Sequence, residues 1–338
     1  MTGAAPLGVA LVGAGMIAPL HVAALSALGD RVRLRWIVAR RPERAAPLAA
    51  AYDGPAPELT ADLGAVAADP GVHFAIVATP PSVRDGPIGT LAAAGKGVLL
   101  EKPVARSLAE AERVVETCER AGVPLGMLLQ HRAGEPGRAA AAHMASGRLG
   151  RLGMVEIAAP LWRPQSYYDE LGRGTYARDG GGVLLTQGIH TIDLALSLAG
   201  PVARVQAMTA TTPLHRMEAE DFAAAGLRFA CGAAGSLVAT TASFPPAPES
   251  IALHFEHASL RVGRADLRVD WRDGCSAVEA TVEGPKHAWH AAVIADFADA
   301  LRTGRPPMVP GREALAAHRL IDAIERSSRA GHAVDLPG

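Results

Sequence analysis

Leu7 to Val12 is a short apolar run carrying two valines, and it breaks at Gly13-Ala14-Gly15-Met16-Ile17-Ala18 before a helical pattern that reaches Leu28. The same alternation continues through residue 129. Leu34 to Val38, Val72 to Ala78, Val98 to Leu100 and Val123 to Leu129 read as buried strands. Pro42 to Tyr52, a patch near Leu59 to Ala68, Ser82 to Ala94 and a stretch ending near Ala121 read as helices, the last opened by the capping box Ser107-Leu108-Ala109-Glu110. Strands alternating with helices in this way, expected to number six, specify an α/β fold with a doubly wound parallel sheet, whose ligands bind at the carboxyl ends of the strands. Gly13, Arg40, Thr79 and Lys102 all fall at such ends.

After Gln130 the rhythm changes. A helix from Glu135 to Ser146 precedes a strand near Met154 to Ala158, and from Val202 onward short runs of alternating character recur: Val202 to Met208, Phe222 to Phe229, Gly235 to Thr241, Ile251 to Phe255, Leu260 to Val262, Leu267 to Val269 and Ala277 to Val282. They predict a large, mainly antiparallel open sheet with one face on a core and the other open to helices or a second subunit. Helices over Ala288 to Thr303 and Arg312 to Arg329 close the chain. The expected division is a dinucleotide-binding domain over 1–125 and an α+β domain for substrate binding and oligomerisation over 126–338.

Composition narrows the functions open to this fold. With 338 residues the chain is long enough for two full cores, and a net charge of -1 without a basic block argues against nucleic acid or an anionic membrane as partner. Residues 2–29 carry no formal charge, but five glycines, Pro6, Pro19 and His21 interrupt them, and no basic segment precedes them. A signal peptide or membrane span is therefore not expected. Cys118, Cys231 and Cys275 form no CxxC pair and are expected as reduced thiols of a cytoplasmic protein. The close histidine pairs, His254 with His257 and His287 with His290, lack a carboxylate or thiol at ligand spacing, so no metal is assigned.

The candidate chemistry sits at the strand ends. Gly13 permits a tight turn, Gly15 lets main chain approach a diphosphate, and the following helix offers N-H groups from Met16 and Ile17. After the second strand comes Ala39-Arg40-Arg41, with no acid until Glu43, which points to NADP over NAD; the alternative is that both arginines are a solvated helix start. Thr79-Pro80 ends one strand, and Glu101-Lys102-Pro103 ends another. Only three of the 33 basic residues are lysines. An ammonium can surrender a proton where a guanidinium cannot, so Lys102 is a candidate acid-base group. Downstream, Gly180-Gly181-Gly182 leads into a helical pattern in which Thr186, His190 and Asp193 share a face. Trp162, Arg163 and Tyr176 lie on an aromatic and basic loop holding three of the four tyrosines, which reads as a substrate wall or as a loop packed on a neighbouring subunit.

Together these motifs resemble the Gfo/Idh/MocA family of oxidoreductases. The resemblance runs through the glycine turn, Ala78-Thr79-Pro80, Ala94-Gly95-Lys96 leading to Glu101-Lys102-Pro103, and the segment Gly180 to Asp193, so it covers nearly the whole chain. It implies a Rossmann domain followed by an α/β domain whose open sheet forms a homodimer or homotetramer. It implies Lys102 and His190 as catalytic residues, a cis Lys102-Pro103 bond, and NADP or NAD held by Gly13, Gly15, Met16, Ile17, Arg40, Arg41, Thr79, Pro80, Glu101 and Lys102. A sugar, polyol or nucleotide-sugar derivative would meet Trp162, Arg163, Tyr176, Thr186, Gln187 and Asp193, and the basic loop residues Arg163, Arg173 and Arg178 favour an anionic one. Two departures stand out: Thr186 replaces an acid often found before the histidine, and Arg84 replaces a histidine often found four residues after the Thr-Pro pair. A non-catalytic NAD(P)-binding regulator of the same fold is the alternative. A dinucleotide-fold methyltransferase is disfavoured because it has no use for the Lys/His constellation.

Overall fold

The structure is a computed structural model that describes residues 5–337. Strands and helices alternate as β1 (Leu7–Val12), α1 (Ala18–Ser26), β2 (Val32–Val38), α2 (Ala46–Ala50), β3 (Glu58–Thr60), α3 (Leu63–Ala68), β4 (Phe74–Val77), α4 (Asp85–Ala93), β5 (Gly97–Glu101), α5 (Leu108–Arg120) and β6 (Leu125–Leu128). There follow α6 (Glu135–Ala145), β7 (Leu152–Pro160), α7 (Gln165–Tyr168), α8 (Ile189–Ala199), β8 (Val202–Ala210), β9 (Phe222–Phe229) and β10 (Ala234–Thr240). The chain then closes with β11 (Ser250–Phe255), β12 (Ala258–Gly263), β13 (Leu267–Trp271), β14 (Ser276–Glu279), α9 (Ala288–Thr303), α10 (Gly311–Ala330) and β15 (Val334–Asp335).

Two compact units result. The first takes the chain up to Ala105, Ala109–Gln130 and Gly284–Ala314. The second takes Arg106–Leu108, His131–Glu283 and the chain from Leu315 on. Gly284–Ala314, placed by the linear division in the second domain, therefore packs with the first.

The first unit holds a six-stranded parallel sheet in the order β3-β2-β1-β4-β5-β6. Its strands are buried on both faces, and so they read as continuous apolar runs without alternation. The sixth strand, which no named run supplied, is β3. It lies at the start of the 59–68 patch read as helical; a three-residue edge strand is too short to impose a period. Strand order reverses between β1 and β4, which is where such sheets open a crevice at their carboxyl ends. Gly13 begins that crevice in the left-handed region at φ 112°, and a Cβ there would lie 2.9 Å from the main-chain carbon of Ala78. Only glycine fits between the two strand ends.

In the second unit nine strands run β14-β13-β12-β11-β7-β10-β9-β8-β15, antiparallel throughout except for the β7–β10 pair. Inward residues Val155, Ile157, Leu237, Leu253 and Leu260 are fully or nearly fully buried, with α6 and α8 packed on the sheet. The opposite face carries small residues such as Ala158, Ala224 and Gly226, exposed Met154, Met208 and Val238, and polar Glu156, Gln206 and Arg228. β15 covers only part of the β8 edge, and beyond it the N-H groups of Ala207 and Thr209 donate to Ser327 Oγ at 3.0 Å and Ser328 Oγ at 2.8 Å. Side-chain oxygens of α10 thus finish an edge that would otherwise be open for pairing. Among the described residues no helix is long and apolar enough to cross a membrane.

Candidate active site

In the first unit the strand ends converge on Glu101, which is 6% exposed. His21, on α1 just past the glycine turn, donates from Nε2 to Glu101 Oε1 at 2.9 Å, and the main-chain N-H of Lys102 donates to Oε2 at 3.1 Å. The ring of His290, from α9, stands edge-on to His21 at 5.5 Å. Burial pushes the Glu101 carboxyl up, but the hydrogen bond and charge of His21, with His290 and Lys102, outweigh it and hold the group down at about 2. Burial lowers His290 to about 4 against the pull of Glu101. The Glu101 carboxylate is thus satisfied by partners within the unit.

Arg84 completes this cluster. Its guanidinium donates from Nε to the Thr79 carbonyl at 2.8 Å, from Nη1 to the carbonyls of Glu101 at 2.6 Å and of Pro103, and from Nη2 toward that of Lys102 at 3.4 Å. The Lys102-Pro103 bond is cis, as the resemblance implied. Burial lowers the Arg84 guanidinium to about 10 while the Glu101 charge opposes the shift, so it stays cationic at neutral pH. Lys102 itself is half-buried.

Residues expected to hold the cofactor follow the same strand ends. A Cβ on Gly15 would meet nothing within 4 Å, Met16 is 74% exposed, and the Thr79 hydroxyl is buried without a protein partner. An open glycine turn at a helix start beside an orphaned hydroxyl is the arrangement a dinucleotide's diphosphate requires, so the residues present fit such a group. Pro80 follows β4, and Arg40 and Arg41 are both exposed beyond the end of β2.

The second unit builds its part around the triple glycine. The Glu220 carboxylate accepts from the N-H groups of Gly182 at 2.9 Å and Leu184 at 3.1 Å, and its main-chain oxygen accepts from Val183 at 2.8 Å. A Cβ at Gly182 would fall 1.6 Å from that oxygen, which is the physical reason for glycine there. The following residues, Leu184–Gly188, make a π turn leading directly into α8. Thr186 donates its hydroxyl to the Gly182 carbonyl at 2.6 Å, and Gln187 donates to the Tyr167 hydroxyl at 3.2 Å. Thr186 lies in this wider turn, whereas His190 and Asp193 lie three apart on α8 itself. His190 is half-buried and stacks on His131 with ring centroids 4.9 Å apart. Asp193 points into the interior, 1% exposed, with its two oxygens on Arg132 Nε and Nη2, each at 2.7 Å. It braces α8 and does not face outward as expected of a substrate ligand.

The aromatic loop is ordered by contacts within this unit. Trp162 packs on His215 and Phe244, while His215 bridges Asp221 Oδ2 at 2.7 Å and the Arg163 carbonyl at 2.8 Å. Tyr176 is exposed. Arg173 is paired with Glu170, and Arg178 lies within 4 Å of Glu170 and Asp179. Arg163 instead lies over the Tyr167 ring at 5.5 Å, and among the described residues it has no carboxylate partner. Among these residues no cluster of three or more His, Cys, Asp and Glu could hold a metal ion.

A six-stranded parallel sheet with a glycine turn at its first strand end, a lysine at its fifth, and a second unit built on a large mixed sheet define an NAD-binding oxidoreductase of two units. Family models agree: residues 7–128 match the oxidoreductase family with NAD-binding Rossmann fold, and residues 138–261 match the GFO/IDH/MocA C-terminal domain. The chain belongs to the Gfo/Idh/MocA family. It is similar to the WlbA dehydrogenase from Bordetella pertussis, solved in complex with NADH and UDP-GlcNAcA, with 31% identity over 99% of both chains and a TM-score of 0.86. The WlbA dehydrogenase from Chromobactrium violaceum, solved with the same two ligands, is 29% identical over 100% of this chain and 99% of its own, with a TM-score of 0.82. D-apiose dehydrogenase from Rhizobium rhizogenes is 27% identical across 81% of this chain and 82% of its own.

The buried cluster has a pH signature. Folded His290 holds a proton less readily than the unfolded side chain at 6.5, so acidification from 6.5 toward 4 favours unfolding, by at most about 3 kcal/mol. Glu101 adds a second loss between 4.5 and about 2. Denaturant midpoints measured from pH 8 to 3 are expected to fall along both legs, and His290→Leu is expected to remove the upper one; an unchanged upper leg would locate that titration elsewhere.

Proposed function

We propose that this chain is an NAD(P)-dependent dehydrogenase or reductase acting between the carbinol and keto forms of a sugar, polyol or nucleotide-sugar derivative that carries an anionic group. The observation that carries this reading is Lys102: an amine at the end of β5, with main chain anchored by Arg84 and Glu101, in a unit whose glycine turn and orphaned Thr79 hydroxyl suit a dinucleotide. When bound, the nicotinamide takes up or supplies the hydride. Lys102 takes the substrate hydroxyl proton in oxidation and returns it in reduction. His190 orients the same oxygen or shares its proton. Gln187 and Thr186, with Trp162, Arg163 and Tyr176, are the proposed substrate contacts, whereas Asp193 serves by fixing α8.

Two finer readings follow. Arg40 and Arg41 are exposed past β2 with Ala39 where an acid would engage a ribose hydroxyl, which supports NADP as the preferred cofactor. Arg163, lacking a carboxylate partner, supports an anionic substrate, in keeping with a relative solved with UDP-GlcNAcA. The outward face of the nine-stranded sheet, which exposes Met154, Met208 and Val238 beside small residues, supports a homodimer or homotetramer. The exposed free thiols of Cys231 and Cys275 suit the cytoplasm. A non-catalytic NAD(P)-binding regulator is the second reading, favoured by one observation: Thr186 stands in place of an acid, with its hydroxyl turned back on Gly182.

Three measurements test these readings. Lys102→Met is expected to keep cofactor affinity, followed by tryptophan fluorescence, and to lower kcat about 100- to 10,000-fold in absorbance at 340 nm; an unchanged kcat would remove Lys102 from the chemistry. NADPH is expected to bind at least about tenfold more tightly than NADH, a preference lost in the Arg40→Ser, Arg41→Ser double variant; equal affinities in the unmodified protein would point to NAD. Arg163→Met is expected to raise KM for sugar acids or nucleotide-sugar acids about 10- to 100-fold while sparing neutral sugars, and turnover of neutral sugars only would end the anionic reading. Cofactor binding without turnover on any substrate of the panel would favour the regulator.

A further inference from the structure

We infer that Arg84 is the positioning residue for Lys102, a fixed cation that holds the main chain on both sides of the lysine and, with it, the loop after β4. The inference rests on reading Lys102 as the proton carrier, but its test does not require turnover.

Four carbonyls are gathered by one side chain: Thr79 at the end of β4, and Glu101, Lys102 and Pro103 in succession after β5. Buried main-chain oxygens at a strand end have no ladder partner and need a donor. A guanidinium offers five N-H groups in a rigid plane, enough for all four acceptors at once. The imidazole that the resemblance places at this position could offer two at most. At 3% exposure the Arg84 charge needs compensation, and it has it in four carbonyl dipoles and the nearby Glu101 carboxylate.

Anchoring three consecutive carbonyls fixes the peptide planes before and after the Lys102 Cα, so the lysine side chain leaves the main chain from a defined point. The same guanidinium holds Thr79, whose hydroxyl is orphaned at the proposed cofactor position. One residue therefore couples the placement of a proton carrier to that of a cofactor contact. Its charge also acts on Lys102, because a like charge disfavours the ammonium and favours the amine a base must be. The other titratable groups at this strand end, Glu101 on β5, His21 on α1 and His290 on α9, are unchanged in the variants below.

Trace acetylation from pH 6 to 10.5, read by peptide mass spectrometry, reports each lysine separately because there are only three. Lys286 is exposed and monitors the reagent. Lys96 is buried, donating to the carbonyls of Asp69 at 2.8 Å and Val72 at 2.9 Å, and monitors the integrity of the unit. In Arg84→Met the pH midpoint of Lys102 is expected to rise by about one unit with Lys96 and Lys286 unchanged, and Arg84→Lys is expected to recover at least half of the shift. With a substrate in hand, Arg84→Met is expected to lower kcat more than it alters KM. An unchanged Lys102 midpoint, or Lys96 becoming reactive together with Lys102, would overturn the inference. If Arg84→Met does not fold, Arg84→Gln, which keeps two N-H donors without the charge, carries the same expectation and the same overturning results. A Lys102 response in a protein that turns over nothing would sink the enzyme reading and leave the clamp standing. Turnover abolished by Lys102→Met, with no response to Arg84→Met, would do the reverse.

Discussion

A carboxylate kept charged in a nearly solvent-free setting must be surrounded by donors and cations, and at Glu101 they come from four places in the chain. His21 arrives on the helix after the glycine turn, Arg84 at the start of α4, Lys102 through its own N-H, and His290 on α9 nearly two hundred residues later. Removing one partner from such a cluster leaves the others buried without compensation, so its members are bound to one another energetically. The crevice end of the first unit is in this sense built on one negative charge. The glycine turn leads into the helix that carries His21, the Thr79 carbonyl accepts from Arg84, and the lysine directly follows Glu101.

Much of the first unit was legible because a parallel sheet covered on both faces writes itself as apolar runs broken by turn residues. The strands from β1 to β6 were readable to within a few residues, apart from β3. The chemistry at their ends was harder. Lys102 was conspicuous by scarcity, but Arg84 registered only as a departure from a pattern, because nothing in sequence tells whether a guanidinium faces water or four carbonyls. The nearest available signal was its position directly before an apolar helix and just after Thr79-Pro80, where a long cation has only strand ends within reach.

In the second unit the period of the pattern misled. Spacing of three and four placed Thr186, His190 and Asp193 on one polar face, but α8 is buried nearly all round and Asp193 turns inward to Arg132. Its near all-round apolarity, with Leu194, Ala195 and Leu196 in succession and Leu198 after Ser197, was the available clue that a charge on it would lie inside. The triple glycine before α8 marks the segment as unusual. Its middle ground is more ordinary: main chain passing so close to Glu220 that a methyl group would collide with it. Glu220 and Arg132, which organise this part of the unit, carry no sequence motif at all.

The return of Gly284–Ala314 to the first unit bears on how this architecture can be taken apart. α9 brings His290 to the Glu101 cluster and sets Phe297 against Phe74 at the core of the sheet, so the nucleotide-binding module is written in the gene as separate pieces with the other module between them. A chimera that exchanged only the amino-terminal third would import a sheet with a hole in its core and a carboxylate short of a neighbour. Recombination between relatives can shuffle this module intact only if both stretches travel together, which ties the inheritance of the two halves of the chain more tightly than a two-domain diagram would suggest.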